Sequence, residues 1–188
     1  MRAARARLPA AARIAAGQAL VGVLERLPEF LVDARVAGYW AVKGELPLHL
    51  VCARLHARGQ RYHLPVLADD GTLRFAAWRP DVPMRANRYG IPEPAADAHT
   101  LLHPRELELV LVPLVAFDRR GHRLGSGAGY YDRSFAFLRG RTRPTLPLLV
   151  GIGYQFQEVP ELPPQPWDVP LDFVATDREL IACHPADR

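Results

Sequence analysis

Apolar residues recur at helical spacing near the N-terminus and form short continuous runs later in the chain. The N-terminal pattern predicts an amphipathic helix that Pro9 opens and that runs to about Leu27, where Pro28 stops it. The apolar positions on its buried face are Ile14, Leu20, Val21 and Leu24. The stretch is rich in Arg and Ala with no acidic residue before Glu25, which also resembles a transit peptide. We favour a helix of the folded domain.

Two nearly unbroken apolar runs, 107–117 and 146–154, have the composition of central parallel strands that are covered on both faces. Segment 80–104 is rich in Pro, Asn, Asp and Gly and is predicted as a loop. Shorter patterns predict strands at 36–41, 62–67, 72–78 and 173–176, and helices at 48–57 and 130–138. Because strands alternate with helices, we predict a single α/β domain over residues 1–188, with three α/β/α layers around an open, mostly parallel sheet.

Composition and charge narrow the class of protein. The chain has 188 residues, of which 49% are hydrophobic and 18 are proline, as in a loop-rich globular domain. Its net charge of +4 suits an anionic small molecule or a nucleic acid, but no basic helix or aromatic sheet motif favours nucleic acid. No apolar run is long enough to span a membrane. Cys52 and Cys183 are too few for a disulfide framework, so we expect buried thiols and a cytoplasmic location.

The most distinctive segment contains Gly125, Gly127 and Gly129 at every second position, between Arg123 and Asp132. Glycines allow a ligand to approach the backbone closely, and consecutive N–H groups in such a turn form a concave anion site. The predicted helix that follows adds its N-terminal N–H groups. The segment is not a Walker A sequence, and it lacks the third glycine of the dinucleotide fingerprint. A tight turn that needs glycine only for steric reasons explains the isolated pattern equally well.

The residues around these glycines favour a nucleotide phosphate with Mg²⁺. Arg123 suits phosphate oxygens, and Asp132 suits Mg²⁺, which usually takes one or two carboxylates together with phosphates and water. A second carboxylate is then expected from elsewhere in the chain. Alternatively, Asp132 complements the helix dipole, while Tyr130 and Tyr131 are either core aromatics or stacking faces for a flat ligand.

Four segments together resemble the 5-formyltetrahydrofolate cyclo-ligase family, also called methenyltetrahydrofolate synthetase, in their order and spacing. Segment 113–133 is similar to the family's long signature almost throughout. The other segments are Tyr39-Trp40 with Gly44-Glu45, Tyr89 to Pro94, and Asp168 to Thr176. The resemblance covers nearly the whole chain and implies a fold like that of the NagB/RpiA/CoA-transferase-like proteins. A sugar-phosphate isomerase or CoA-transferase-like protein would share that fold but not the site.

The resemblance implies an enzyme that uses ATP and Mg²⁺ to convert 5-formyltetrahydrofolate, with or without a polyglutamate tail, to 5,10-methenyltetrahydrofolate, ADP and phosphate. Phosphorylation turns the formamide oxygen into a leaving group, N10 attacks the carbon, and phosphate departs. The protein then acts mostly by positioning and charge stabilisation. We expect a monomer without a nucleic-acid or membrane partner.

The same resemblance implies a role for each site residue. The catalytic residues are Arg123 and Tyr130, and the Mg²⁺ ligands are Asp132 and Asp168. The residues that hold the ATP phosphates are Arg123, Leu124, Gly125, Ser126, Gly127, Ala128, Gly129, Tyr130 and Tyr131. The folate is bound by Glu45 at the pterin edge and by Trp40, Tyr89 and Tyr130 as apolar walls. Taken singly, each residue favours a simpler interpretation: Glu45 as a solvated loop charge, Tyr89 as a loop anchor and Trp40 as a core residue.

Two features depart from the family pattern. The family's N-terminal helix carries a Lys and an Arg, four residues apart, that contact ATP, and alignment places both positions before Met1. Arg2 and Arg5 on the predicted N-terminal helix are the candidates to replace them. Ser126 stands where the family often has a large aromatic or basic side chain, and Ala128 where it has Gly or Lys. The alternative function is therefore a catalytically weak or inactive member that binds folate or nucleotide.

Overall fold

The computed structural model describes residues 1–183, and this part of the chain contains five α-helices and eleven strands. The helices are α1 (Arg2–Arg7), α2 (Ala10–Leu24), α3 (Pro28–Val32), α4 (His49–Ala57) and α5 (Tyr130–Ser134). The strands are β1 (Arg35–Ala37), β2 (Arg61–Leu67), β3 (Leu73–Ala77), β4 (Met84–Ala86), β5 (Pro92–Pro94), β6 (Leu109–Pro113), β7 (Ala116–Phe117), β8 (Arg123–Leu124), β9 (Leu148–Ile152), β10 (Phe173–Ala175) and β11 (Leu180–Ala182).

Seven of these strands form one sheet in the order β11-β10-β9-β6-β1-β2-β3. The five strands from β10 to β2 run parallel, and the edge strands β3 and β11 are antiparallel to their neighbours. β6 lies in the middle of the sheet. In an open sheet of this kind, ligands bind beyond the carboxyl ends of the parallel strands. A ligand site is therefore expected at this edge of the sheet.

Two apolar clusters cover the two faces of the sheet. Apolar residues of α2 and α4 belong to one cluster. Apolar residues of α5 and of the 3-10 turn Ala136–Leu138 that follows it belong to the other. Successive residues of β6 divide between the clusters because strand side chains alternate in direction. Leu109 and Leu111 lie in the first cluster, and Val110 and Val112 lie in the second. This confirms the predicted layering of helices on both faces of a mostly parallel sheet.

The N-terminal region differs from the single helix that we predicted. α2 ends at Leu24, and Pro28 begins the separate helix α3, since proline is favoured in the first turn of a helix. Residues 2–7 form α1, which is separated from α2 by extended backbone at Pro9. Ile14 is 51% exposed, so its predicted place on the buried face is wrong. It lies in the half of α2 that precedes the first core residue, Ala16.

Segment 80–104 contains more regular structure than the predicted loop. β4 and β5 form an antiparallel hairpin in which Arg85 pairs with Glu93. β5 begins and ends with proline, a residue that argues against strand assignment. β1 ends at Ala37 rather than residue 41, and the chain then turns through Lys43 and Gly44, whose φ angles are 51° and 76°. The edge strand β11 is too short to show an alternating pattern.

Both cysteines are free and buried, as predicted. Burial raises the pKa of the Cys52 thiol to about 11 and that of the Cys183 thiol to about 12. Such thiols carry no appreciable thiolate at neutral pH and are therefore structural rather than reactive. In the described part of the chain, no helix combines the length and apolar character needed to cross a membrane.

Candidate functional site

A small antiparallel hairpin, β7–β8, leads from β6 to the glycine loop. The buried carboxylate of Asp118 holds its turn by accepting hydrogen bonds from the N–H groups of Arg120 and His122, each at 3.0 Å. Its second oxygen accepts from the N–H of Leu162 at 3.0 Å. Asp118 thus ties the hairpin to the segment that precedes Asp168. Sequence reasoning gave Asp118 no separate role, although an aspartate at the start of a turn is the usual signal for such bonding.

Residues 125–129 form the glycine loop, which is largely open to solvent. Gly127 and Gly129 have φ angles of 102° and 65°, a region that favours glycine. A Cβ at Gly125 or Gly127 would meet no atom within 4 Å, so open space lies beside the backbone there. Such a backbone suits an anion. α5 ends at Ser134 instead of residue 138 and contributes only a short helix dipole to the loop.

Arg123 and Asp132 form an ion pair across this loop. Nη2 of Arg123 lies 2.5 Å from Oδ1 of Asp132, and the Arg123 side chain is only 6% exposed. Arg123 also donates through Nη1 to the Val169 carbonyl. The N–H of Val169 in turn donates to Asp132 Oδ1 at 3.2 Å. The two ends of the glycine loop and the distant segment at Val169 therefore meet at one buried guanidinium group.

The two carboxylates that we predicted as Mg²⁺ ligands lie on adjoining segments, since Asp168 directly precedes Val169. Oδ2 of Asp168 accepts from the N–H of Gln165 at 2.9 Å. Within residues 1–183, the other Asp168 oxygen and Oδ2 of Asp132 have no hydrogen-bond partner. Hard oxygen donors of this kind fit Mg²⁺, which needs only one or two carboxylates when phosphate and water complete its shell. The described residues contain no group of three His, Cys, Asp or Glu side chains suited to a metal.

A cleft of about 330 Å³ lies beside the glycine loop. Its lining residues are Gly127, Ala128, Gly129, Asp132, Arg133, Arg139 and Trp167. Sequence reasoning identified the loop residues and Asp132, but it assigned no ligand contact to Arg139 or Trp167. The indole of Trp167 is 58% exposed. An exposed aromatic side chain beside a basic residue offers a flat surface to a heteroaromatic ring.

Tyr130 and Tyr89, two of the predicted folate walls, lie in contact with each other. Their rings meet edge to face with centroids 6.1 Å apart, and their hydroxyl oxygens are 3.0 Å apart. Arg88 donates to the Tyr130 hydroxyl, and the Arg133 guanidinium lies 5.0 Å from the centroid of the Tyr130 ring. Hydrogen bonds from Tyr89 and Arg88 lower the pKa of the Tyr130 phenol. Trp40, the third predicted wall, packs edge to face on Trp78 with centroids 6.0 Å apart.

Glu45 lies in the turn after β1, directly after Gly44, on which α1 packs. Its carboxylate accepts from the N–H of Val42 at 3.0 Å. Burial raises the carboxyl pKa of Glu45, while the Val42 hydrogen bond and the charge of Arg5 oppose that shift. A Cβ on Gly44 would lie 2.8 Å from the Arg5 carbonyl oxygen, so glycine allows α1 to pack directly on this turn. Glu45 is therefore a partly desolvated acceptor rather than a solvated loop charge.

α1 connects this turn with the glycine loop. Arg5 is 3% exposed and donates to the Leu114 carbonyl, just beyond β6, at 2.9 Å. Arg2 donates to the Ser126 carbonyl at 3.1 Å. The two candidate replacements for the family's basic pair thus reach the site, although each is bonded to a backbone carbonyl. Ser126 itself is exposed, as its place in an open loop requires.

The glycine loop and the Glu45 turn, joined by α1 beyond the end of β6, are features of an α/β protein with a candidate ligand site at the carboxyl edge of its parallel strands. Residues 1–177 match the model of the 5-formyltetrahydrofolate cyclo-ligase family. The 5-formyltetrahydrofolate cyclo-ligase of Haemophilus influenzae is 38% identical over 138 residues, which are 72% of this chain and 72% of that protein. The Escherichia coli K12 protein of the same name is 34% identical over 167 residues, which are 87% of this chain and 89% of that protein.

A solved structure agrees with this match. The NMR structure of Aquifex aeolicus 5,10-methenyltetrahydrofolate synthetase superposes with a TM-score of 0.80 at 28% identity, covering 100% of this chain and 91% of that one. The chain belongs to the 5-formyltetrahydrofolate cyclo-ligase family. The family and the α/β fold class that we predicted are confirmed.

Proposed function

We propose that the chain is a cyclo-ligase that converts 5-formyltetrahydrofolate to 5,10-methenyltetrahydrofolate with ATP and Mg²⁺, releasing ADP and phosphate. The match of residues 1–177 to the family model carries this proposal. A formamide oxygen is a poor leaving group, and phosphoryl transfer from ATP makes it a good one. Once N10 of the folate has attacked the activated carbon, the C–O bond breaks and phosphate leaves. The protein's task is to align the two substrates and to neutralise the charge of the phosphates.

The proposed phosphate site spans residues 123–131, with the glycine loop at its centre. Gly125 and Gly127 leave the backbone accessible because nothing lies where their side chains would be. Arg123 is assigned a catalytic role in charge stabilisation. Its bonds to Asp132 and Val169 fix its position, so its charge is fixed before ATP binds, which avoids reorganisation during the reaction.

Asp132 and Asp168 are the proposed Mg²⁺ ligands. Each has a carboxylate oxygen without a hydrogen-bond partner in the described chain, and the Val169 contact keeps their segments together. Mg²⁺ supplies positive charge that neutralises the transferring phosphoryl group. The ion pair with Arg123 orients Asp132, so the carboxylate needs no rearrangement to act as a ligand.

The folate is proposed to lie along Tyr89 and Tyr130, with its pterin edge on Glu45. A carboxylate acceptor suits the N–H donors of a pterin, and the hydrogen bond from the Val42 N–H holds the Glu45 carboxylate in place. Tyr130 is assigned a catalytic role because it directly follows the glycine loop and also belongs to the aromatic wall, so it lies where the reacting groups of the two substrates must meet. Trp40 is retained as a wall residue because its ring is 38% exposed.

The same proposal includes substrates with a polyglutamate tail and a monomeric, cytoplasmic protein without a nucleic-acid partner. The buried, protonated thiols of Cys52 and Cys183 are in keeping with a reducing compartment.

One assay tests the activity. The purified chain is mixed with 5-formyltetrahydrofolate, Mg²⁺ and ATP, and the absorbance of the methenyl product is followed. We expect product only when both ATP and Mg²⁺ are present. If the protein binds folate or nucleotide without turnover, the second candidate, an inactive ligand-binding member, replaces the first. That candidate is favoured by one observation: Arg2 and Arg5 are both bonded to backbone carbonyls.

A further inference from the structure

The tip of the β4–β5 hairpin, residues 87–91, is a turn held by its own hydrogen bonds. Oδ1 of Asn87 accepts from the N–H groups of Tyr89 at 2.9 Å and Ile91 at 3.1 Å. The Asn87 N–H donates to the Ile91 carbonyl at 2.9 Å, and the Gly90 N–H donates to the Asn87 carbonyl at 2.8 Å. The hairpin tip is therefore internally rigid, and its position depends on its contacts with the rest of the protein.

The other end of the hairpin is fixed to the sheet. The buried carboxylate of Glu93 accepts from the Leu67 N–H of β2 at 3.3 Å and from Nε of Arg85 at 3.4 Å. Just outside the two strands, the Ala95 N–H donates to the Pro83 carbonyl at 2.8 Å. These contacts hold the base of the hairpin but do not reach the hairpin tip.

A single residue outside the hairpin holds the hairpin tip. Within residues 1–183, every hydrogen bond that leaves segment 87–91 ends at the Tyr130 hydroxyl, which accepts from Arg88 and lies 3.0 Å from the Tyr89 hydroxyl. The Arg88 guanidinium lies 5.4 Å from the centroid of the Tyr89 ring and 5.9 Å from that of the Tyr130 ring. Because these contacts are exposed to solvent, they contribute little free energy. The closed position of the hairpin tip is therefore only slightly favoured over an open one.

Tyr130 connects this contact to the glycine loop. It directly follows Gly129 and begins α5. Its carbonyl accepts from the Ser134 hydroxyl at 2.6 Å, and Ser134 Oγ accepts from the Leu73 N–H of β3 at 2.8 Å. The backbone of Tyr130 is thus attached to the sheet, while its hydroxyl holds the hairpin tip. An anion on the N–H groups of the glycine loop restrains Gly129 and, with it, the position of Tyr130.

We propose that Arg88 is a positioning residue that holds the hairpin tip on Tyr130 and thereby couples folate binding to nucleotide binding. The inference rests on the proposed function, because it requires folate on Tyr89 and Tyr130 and phosphate on the glycine loop. Folate contacts both tyrosines only when the hairpin tip is closed, so folate favours the closed position. A nucleotide that restrains Tyr130 favours the same position. Each substrate therefore raises the affinity for the other by the same factor.

Isothermal titration calorimetry measures this factor. The protein is titrated with 5-formyltetrahydrofolate in the presence and absence of Mg²⁺ and adenylyl imidodiphosphate, an ATP analogue that does not transfer its terminal phosphate. The reverse titration checks that the factor is reciprocal.

Four variants are compared with wild type. Arg88→Met keeps an unbranched side chain but removes the charge and the hydrogen-bond donor, whereas Arg88→Lys keeps a charge and a donor. Tyr130→Phe removes the acceptor and keeps the ring. Arg26→Met is the control for net charge, because Arg26 is exposed on the chain that follows α2. Thermal unfolding checks that each variant is folded.

We expect wild type and Arg26→Met to bind the folate about threefold more tightly when the analogue is present, the increase that an exposed contact supports. Arg88→Met and Tyr130→Phe should each abolish this increase, and Arg88→Lys should retain part of it. Equal folate affinity with and without the analogue in wild type overturns the coupling. An increase that persists in Arg88→Met overturns the role of Arg88, and one that persists in Tyr130→Phe shows that Arg88 does not act through that hydroxyl.

Failure of the proposed function looks different. In that case wild type forms no methenyl product from 5-formyltetrahydrofolate, ATP and Mg²⁺. A wild type that forms product but binds the folate equally well with and without the analogue refutes the coupling alone.

Discussion

Arg123 and Asp132, nine residues apart in sequence, close the glycine loop through an ion pair between Nη2 and Oδ1 at 2.5 Å. The same guanidinium group binds the Val169 carbonyl, one residue after Asp168. This relationship changes the interpretation of both residues. Arg123 is a fixed charge that orients a carboxylate, and Oδ2 of Asp132 has no hydrogen-bond partner in the described chain. The loop and its proposed metal ligands therefore form one unit.

Asp132→Asn should lower turnover at least tenfold and raise the Mg²⁺ concentration needed for half-maximal rate. The amide retains the hydrogen bond from Val169 but loses the negative charge that attracts Mg²⁺. Rates measured over a series of Mg²⁺ concentrations test this. Asp69→Asn is the control, because it neutralises an exposed carboxylate outside the site. This variant should behave as wild type. A Mg²⁺ dependence that does not move in Asp132→Asn rules out its role as a ligand.

Arg123→Lys should raise KM for ATP and lower the free energy of unfolding by about 1–3 kcal/mol, because one ammonium group cannot reproduce both bonds of the guanidinium group. The loss falls on a side chain that is only 6% exposed. Urea unfolding gives the stability, and ATP titrations give KM. Arg139→Lys is the comparison variant, because Arg139 is an exposed residue beside the same loop. If Arg123→Lys matches Arg139→Lys in both stability and KM for ATP, the bonds of Arg123 to Asp132 and Val169 do not stabilise the loop.

Much of this architecture was predictable because burial leaves a direct mark on sequence. The apolar run 107–117 predicted the central strand, and β6 is that strand. The β4–β5 hairpin was not predictable, since prolines at both ends of β5 act against strand propensity and cross-strand contacts such as Arg85–Glu93 override it. Ile14 was misplaced because periodicity identifies a helix face but not where the core beneath it begins.

The candidate site likewise has some features that the sequence predicted and others that it did not. The spacing of the glycines and the position of Asp132 could be read from the chain. The partners of Tyr130 could not, because Arg88 reaches its hydroxyl from a segment 42 residues earlier. The Arg123–Val169 contact likewise spans 46 residues. Such contacts depend on how the loops fold over the sheet, and no local propensity encodes them.

Tyr130→Phe should raise KM for folate about three- to tenfold with a smaller effect on KM for ATP, since it removes the hydroxyl contacts to Arg88 and Tyr89 but keeps the ring. Steady-state kinetics with each substrate varied in turn provide the test. Tyr154→Phe is the control, because the buried Tyr154 hydroxyl has no hydrogen-bond partner in the described chain. Equal effects on both KM values place the hydroxyl outside the folate wall.

The free energy of unfolding should increase as the pH falls from above 6 toward 4, because the Asp33 carboxylate becomes protonated in the folded protein. Burial, followed by the charges of Glu108 and Glu29, raises its pKa from 3.8 to about 6. The folded state therefore binds a proton more readily than the unfolded state, and the ionised carboxylate destabilises the fold at neutral pH. Asp33→Asn should stabilise the protein at pH 7.5 by about 1 kcal/mol, a value discounted for solvent screening of a partly exposed group.

Unfolding in urea between pH 4 and 8 measures this effect. The difference between Asp33→Asn and wild type should shrink as wild-type Asp33 becomes protonated. Asp97→Asn, an exposed carboxylate in the loop after β5, controls for net charge. A difference that is constant over the whole range assigns the stabilisation to something other than the titration of Asp33.

Gly44→Ala should destabilise the protein more than Gly59→Ala, although both glycines have a φ angle of 76°. The conformational strain of alanine, about 1 kcal/mol, is common to the two variants. They differ in their surroundings: a Cβ at Gly44 would lie 2.8 Å from the Arg5 carbonyl oxygen, whereas nothing lies within 4 Å at Gly59. Relief of that clash requires α1 to move, which adds about 1–3 kcal/mol to the loss.

The displacement also has a functional consequence. Arg5 and Arg2 move with α1, so Gly44→Ala should weaken folate binding at Glu45 and disturb the Ser126 end of the glycine loop. Urea unfolding compares the stabilities, and KM for folate and ATP reports on the site. If Gly59→Ala costs as much stability as Gly44→Ala, the effect is backbone strain alone. If stability differs but both KM values match, α1 packs on the Glu45 turn without controlling the site.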